Sequence, residues 1–202
     1  MSEILVTYAS MAGSTAEIAE AIPKELKTAG VEAEVRPLSK ASSIDGYAGI
    51  VLGGPMILGW DRRALRFLRR NREHWSRIPV AVFVSAMALT KTEEPAIADT
   101  RAVLDERLMK APANPASLTL REQYSQPSNY LRPILRAMQP AKPRTIAIFG
   151  GRLLFGRLPW WAIPVALLAA AGQAGDKRDW TLIRAWAAEL PNSLELHRAS
   201  VA

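Results

Sequence analysis

Short apolar, β-branched blocks alternate with amphipathic stretches along this chain of 202 residues. Ile4-Leu5-Val6-Thr7-Tyr8-Ala9 is apolar at nearly every position, the pattern of a strand buried on both faces of a parallel sheet. Beyond the small-residue loop 10–15, Ile18, Ile22 and Leu26 recur at helical spacing and Gly30 supplies a stop. Pro23 falls inside that helix, where it costs about 3 kcal/mol or bends the axis. Val31 to Leu38 reads as a second strand, and Pro37 favours an edge because it cannot donate to a ladder. A third strand lies between Tyr47 and Gly53, a helix from Ala64 to Trp75, and a fourth strand from Pro79 to Ser85. Thr145 to Phe149 is a fifth, and Trp180 to Leu190 a last helix with Ile183, Trp186, Ala187 and Leu190 on one face.

Strands that alternate with helices build βαβ units, hence an α/β three-layer sandwich with helices on both sides of a parallel sheet. Right-handed crossovers and five strands favour the doubly wound order 2-1-3-4-5. The expected organisation is one domain over residues 1–202, with insertions at about 91–128 and 151–175. Within and after the first insertion the periodicity predicts helices over Ala98–Lys110 and Asn129–Met138.

Composition narrows the chemistry. No cysteine is present, which removes disulfides, thiolate metal sites and cysteine nucleophiles. The two histidines, His74 and His197, make a histidine-rich metal centre unexpected. Carboxylates form no evident pair, so no general acid or base is assigned. Residues 1–60 carry four Lys/Arg against seven Asp/Glu, and residues 61–202 carry twenty-two against twelve. A basic second half points to anionic partners. No basic segment precedes an apolar run at the N-terminus, so no secretory signal is expected and a cytoplasmic site is.

The loop Ser10-Met11-Ala12-Gly13-Ser14-Thr15 joins the first strand to the first helix. Backbone N–H groups at a helix N-terminus, with the hydroxyls of Ser10, Ser14 and Thr15, suit one phosphate, and Gly13 lets the backbone approach it. The loop is not GxGxxG and lacks the lysine of a P-loop, so a single monophosphate fits better than a dinucleotide or triphosphate. The same residues would also make an ordinary turn capped by Ser or Thr.

This loop resembles the FMN-phosphate loop of the flavodoxin family, and Tyr47-Ala48-Gly49-Ile50-Val51-Leu52-Gly53-Gly54-Pro55-Met56 resembles its third strand and first flavin-ring loop. Ile148-Phe149-Gly150-Gly151-Arg152-Leu153 and Gly175-Asp176-Lys177-Arg178-Asp179-Trp180 are similar to the branch that includes menaquinone-dependent protoporphyrinogen oxidase. The resemblance runs over roughly 4–90 and 144–190. It implies a flavodoxin-like fold with non-covalent FMN at the carboxyl ends of the strands, its phosphate on residues 10–15. Two loops would flank the ring: Pro55-Met56-Ile57-Leu58-Gly59-Trp60 and Ser85-Ala86-Met87-Ala88-Leu89. Trp60 is expected to stack on the ring, with Met56, Ile57, Met87 and Leu89 excluding water and backbone N–H groups tuning the ring nitrogens. The second loop carries no aromatic residue.

Asp61 to Arg77 holds Arg62, Arg63, Arg66, Arg69, Arg70, Arg72 and Arg77 against Asp61 and Glu73. It reads as a solvated face, as a recognition surface for carboxylates, or as a face for anionic lipid. Residues 158–175 carry no charge and include Trp160 and Trp161, but Pro159, Pro164 and the shortness of the run argue against a span. A buried or dimer-forming helix and an interfacial one both fit. The expected partners are therefore a small anionic substrate, a quinone acceptor, the inner face of a membrane contacted peripherally, and a second copy of the chain. Nucleic acid is not among them, since no aromatic platform interleaves the arginines. The resemblance implies an FMN-dependent oxidoreductase, quinone-linked and acting on an apolar anion such as protoporphyrinogen. An NAD(P)H:quinone reductase, an electron-transfer flavodoxin and a flavin-free binding module are the alternatives.

Overall fold

The computed structural model describes residues 3–41, 43–56, 60–92, 100–153 and 175–196. In chain order the larger elements are β1 (Glu3–Tyr8), α1 (Ser14–Thr28), β2 (Glu32–Pro37), β3 (Gly49–Pro55), α2 (Arg62–Arg70) and β4 (Val80–Ala86). The middle of the chain adds β5 (Leu89–Thr90), β6 (Arg101–Leu104), β7 (Met109–Lys110), α3 (Leu120–Tyr124) and α4 (Pro127–Met138). The last part contributes β8 (Thr145–Gly150), β9 (Arg152–Leu153), β10 (Gly175–Asp176), α5 (Trp180–Ala188) and α6 (Leu190–Ser193).

Six strands form one parallel sheet in the order β2-β1-β3-β4-β8-β6. The first five positions are the doubly wound order expected from the strand pattern, with Pro37 on the edge strand β2 as its missing donor requires. The sixth strand corrects the five-strand expectation. Arg101–Leu104 lies in the stretch read as a helix from Ala98 to Lys110, and residues 93–99 lie outside the described residues. The free edge of β8 offers a row of unpaired donors and acceptors, and Arg101–Leu104 pairs with Thr145–Ile148 along it. That long-range ladder overrides a local periodicity that Leu104 and Leu108 made look helical. Asp105 then ends the strand by accepting from Arg107 N and from the N–H of Gly150.

Side chains alternate across the sheet, so each face has its own core. Leu5, Leu52, Val82, Val84, Ile146 and Ile148 face α2 and α4, whereas Ile4, Val6, Val51, Phe83, Ala147 and Phe149 face α1 and α5. Trp186 of α5 meets Phe149 edge-on at 5.5 Å between ring centroids. Helix α1 continues without a break across Pro23, forgoing the rung to the carbonyl of Ala19 while Ile18, Ile22 and Leu26 stay fully buried. Helix α2 is shorter than the predicted Ala64–Trp75 helix. Asp61 caps it, and after Asn71 a single tight turn, Arg72–His74, leads to the buried Trp75. The predicted Asn129–Met138 helix is α4, begun two residues earlier by Pro127 at its first position.

Among the described residues no helix is long and apolar enough to cross a membrane. The uncharged run 158–175 lies outside the described residues except for Gly175, and so does His197. His74 sits half-buried on the turn after α2, 4.0 Å from Asp45.

Candidate functional site

The parallel strands end at one side of the sheet, and there three separate segments come together. Residues 10–15 follow β1, Pro55 and Met56 close β3, and Ser85, Ala86 and Met87 follow the middle of β4. Met11, Ala12, Ser14 and Thr15 from the first segment and all five residues of the other two line a hollow of about 40 Å³, together with Gly151, Arg152 and Leu153; Ser10 and Gly13 are not in the lining. Gly151, Arg152 and Leu153 were legible in sequence as part of a resemblance. Nothing in local spacing marked them as part of the site, because only the turn at the end of β8 carries them there.

The strand-to-helix turn is not an ordinary hydroxyl-capped one. Its cap is Gly13, held at φ 88°, and no side chain bonds to the helix end. A left-handed residue there favours glycine and turns the first N–H groups of α1 outward. Ser10 Oγ accepts from the Gly13 N–H at 3.1 Å, and Ser14 Oγ accepts from the Arg152 N–H at 2.8 Å. Since each oxygen is occupied as an acceptor, each hydroxyl proton is left to donate. Thr15 is different: the residue is 1% exposed and its hydroxyl bonds with Ser85 Oγ at 2.8 Å, tying the loop to β4. Met11 is exposed at the rim, while Ala12 lines the hollow.

The electrostatics of the turn come from four side chains. Glu17, in the first turn of α1, accepts from Nη2 of Arg152 and from Nη1 of Arg178 at 2.6 Å. Arg178 is chelated by Asp176 and lies 4.7 Å from the Trp180 ring centroid. Pairing with Asp176, then with Glu17, holds its guanidinium above the usual arginine value. Arg152 Nε is buried and has no hydrogen-bond partner.

The ring side of the site departs from expectation at two residues. Trp60 does not line the hollow. It is 6% exposed and packs on Gly54, where a Cβ would lie 2.6 Å from its ring, and its indole N–H bonds to the Tyr130 carbonyl. Burial of a large ring against the sheet outweighs any stacking it could offer in solvent. Leu89 is likewise core, 1% exposed in β5, which pairs with β7. Met56 and Met87 line the hollow, and Met56 N donates to Ser85 O at 3.0 Å, joining the two loops. Ala88 contributes a carbonyl that accepts from the Tyr130 hydroxyl. Ile57, Leu58 and Gly59 lie outside the described residues. Lys177 Nζ donates to the Met87 carbonyl at 3.1 Å, and burial, with Lys110 nearby, holds its ammonium below the ordinary lysine value.

Tyr130 was not singled out by the sequence. From α4 it braces both loops, through its carbonyl on one and its hydroxyl on the other. Helix α2 starts beside Trp60 and presents Arg62, Arg63, Arg66, Arg69 and Arg70 to solvent. Its axis runs away from the strand ends, so Arg70 lies about 10 Å further from them than Arg63. Among the described residues no cluster of metal-ligating side chains is present.

Several solved structures have a similar chain path. A two-electron reduced flavodoxin from Megasphaera elsdenii is 15% identical, with a TM-score of 0.47, over 84% of this chain and 97% of that one. A cysteine-substituted flavodoxin from Pseudomonas aeruginosa is 13% identical, with a TM-score of 0.48, over 96% and 99%. A flavone reductase is 9% identical, with a TM-score of 0.44, over 97% of this chain and 64% of that one. No curated protein matches the chain.

FMN is the cofactor of flavodoxin-fold proteins. The donor set found here fits its phosphate end: uncapped N–H groups of α1, two hydroxyls with a proton to give, and a buried guanidinium N–H without an acceptor. Pro55, Met56, Met87 and Leu153 give the hollow apolar walls. The sequence model of the family described as "Flavodoxin domain" matches residues 5–163, and the chain belongs to that family.

Proposed function

We propose that this protein is an FMN-dependent oxidoreductase that oxidises a flat, apolar, anionic substrate and passes the electrons to a quinone. Protoporphyrinogen is the substrate that the resemblance of residues 148–153 and 175–180 favours. The observation that carries the reading is the exposed arginine face of α2, which starts at Arg62, two residues after Trp60. Guanidinium groups there suit carboxylate tails, and the methionine walls suit the apolar body. The same charge disfavours a one-electron shuttle, which meets basic partners through an acidic face.

Bound FMN would supply the hydride or electron acceptance. The chain itself would hold the phosphate on residues 10–15, exclude water with Met56 and Met87, and orient the two ring loops through Thr15, Ser85 and Tyr130. No side chain is assigned as an acid or base. A quinone acceptor and the arginine face together favour peripheral contact with an anionic membrane.

The test uses the purified protein loaded with FMN. Porphyrinogen and a soluble quinone are mixed with it anaerobically, and porphyrin fluorescence is followed. Quinone-dependent porphyrin formation, with no bleaching of the flavin by NADPH, is the expected result. Rapid bleaching by NADPH without porphyrin formation assigns the protein to NAD(P)H:quinone reduction instead. A colourless protein that takes up no FMN would sink the redox reading altogether.

A further inference from the structure

We propose that Arg152 is a counter-charge for the cofactor phosphate and makes the site select the phosphorylated flavin over riboflavin. The inference rests on the FMN reading and deepens it, because a cradle of N–H and hydroxyl groups alone carries no full positive charge. Arg152 stands over the start of α1, where its main-chain N–H bonds to Ser14 Oγ at 2.8 Å. Its side chain is only 20% exposed and it lines the same hollow as Ala12, Ser14 and Thr15. One end of the guanidinium rests on Glu17. The Nε–H is buried and has no acceptor. Buried donors are normally satisfied, and a phosphate in the hollow that draws the guanidinium toward it would give this one its acceptor. A phosphate oxygen meets that need with a charge-assisted bond.

Glu17 explains why a guanidinium is needed here. Its carboxylate sits in the first turn of α1, where it would repel a dianion. Arg178 neutralises one side of it but is itself held by Asp176 and is 4% exposed. Arg152 bridges the other side through Nη2 while lining the hollow beside Ser14. The pair thus permits an acidic residue beside an anion site.

The experiment titrates the flavin-stripped full chain with FMN, with riboflavin and with FMN in the presence of inorganic phosphate, reading quenching of flavin fluorescence. Arg152→Gln is expected to weaken FMN binding about ten- to a hundredfold and to leave riboflavin unchanged. It should also flatten the salt dependence of FMN binding and abolish competition by inorganic phosphate. Arg152→Lys should recover part of the loss. Glu17→Gln, which frees Arg152 from its carboxylate, should tighten FMN and not riboflavin, a change that a purely structural role would not produce. Equal weakening of both flavins by Arg152→Gln, or no weakening of either, overturns the proposal. Binding of neither flavin by the unmodified chain overturns the cofactor reading and this inference with it.

Discussion

The indole N–H of Trp60 donates to the main-chain carbonyl of Tyr130 at 2.7 Å, across seventy residues of sequence. This bond, with the close packing of the ring on Gly54, removes Trp60 from solvent and makes it part of the core. Trp60→Phe should therefore destabilise the fold by about 1–3 kcal/mol, since a buried carbonyl loses its donor. Flavin affinity should hold. Urea unfolding and FMN titration on the same variant check both halves, and a large loss of affinity without a loss of stability would restore the stacking role.

Tyr130 also sets a pH limit. Burial pushes its phenol up to about 12, and the neutral hydroxyl donates to the Ala88 carbonyl. Below about pH 10 the phenol is protonated in both folded and unfolded chains. Above that the unfolded chain ionises first, so stability falls as pH rises toward the folded value of about 12. Unfolding free energies measured between pH 9 and 12 should show this slope in the unmodified protein and a shallower one in Tyr130→Phe. The same variant frees the Ala88 carbonyl in the second ring loop, so it should weaken FMN and riboflavin alike, in contrast to changes at Arg152.

Gly13 is held at φ 88° where the chain enters α1. Gly13→Asp places a carboxylate at the phosphate cradle, and Asp tolerates the left-handed region better than most residues. The expected result is a folded protein that retains no FMN. Gly13→Asn, which has the same shape without the charge, should keep measurable affinity. Flavin content after gel filtration and a thermal melt separate the two effects. Unchanged flavin in Gly13→Asp would mean that the phosphate binds elsewhere.

The exposed face of α2 offers a test of the anionic partners. Replacing Arg66, Arg69 and Arg70 with Glu should weaken co-sedimentation with vesicles rich in anionic lipid, most at low salt, and leave FMN content intact. If vesicle binding survives but KM for a porphyrinogen rises, the face recognises substrate. If neither moves, these arginines are a solvated surface.

Local pattern alone determined much of this protein. An apolar run such as Ile4–Val6 is buried on both faces of the parallel sheet, so the sheet's core was legible. The small-residue loop between the first strand and the first helix was legible too, with Gly13 at the turn into α1. Tertiary structure decided the rest, because pairing and burial depend on what lies across the fold. Arg101–Leu104 became an edge strand when β8 offered it a ladder. Trp60, written like a ring-stacking residue, found a deeper place on Gly54 and the carbonyl of Tyr130. Arg152 was brought to Ser14 across 138 residues, a juxtaposition that no spacing along the chain encodes. It follows from the parallel order, which delivers the ends of β1 and β8 to the same side of the sheet.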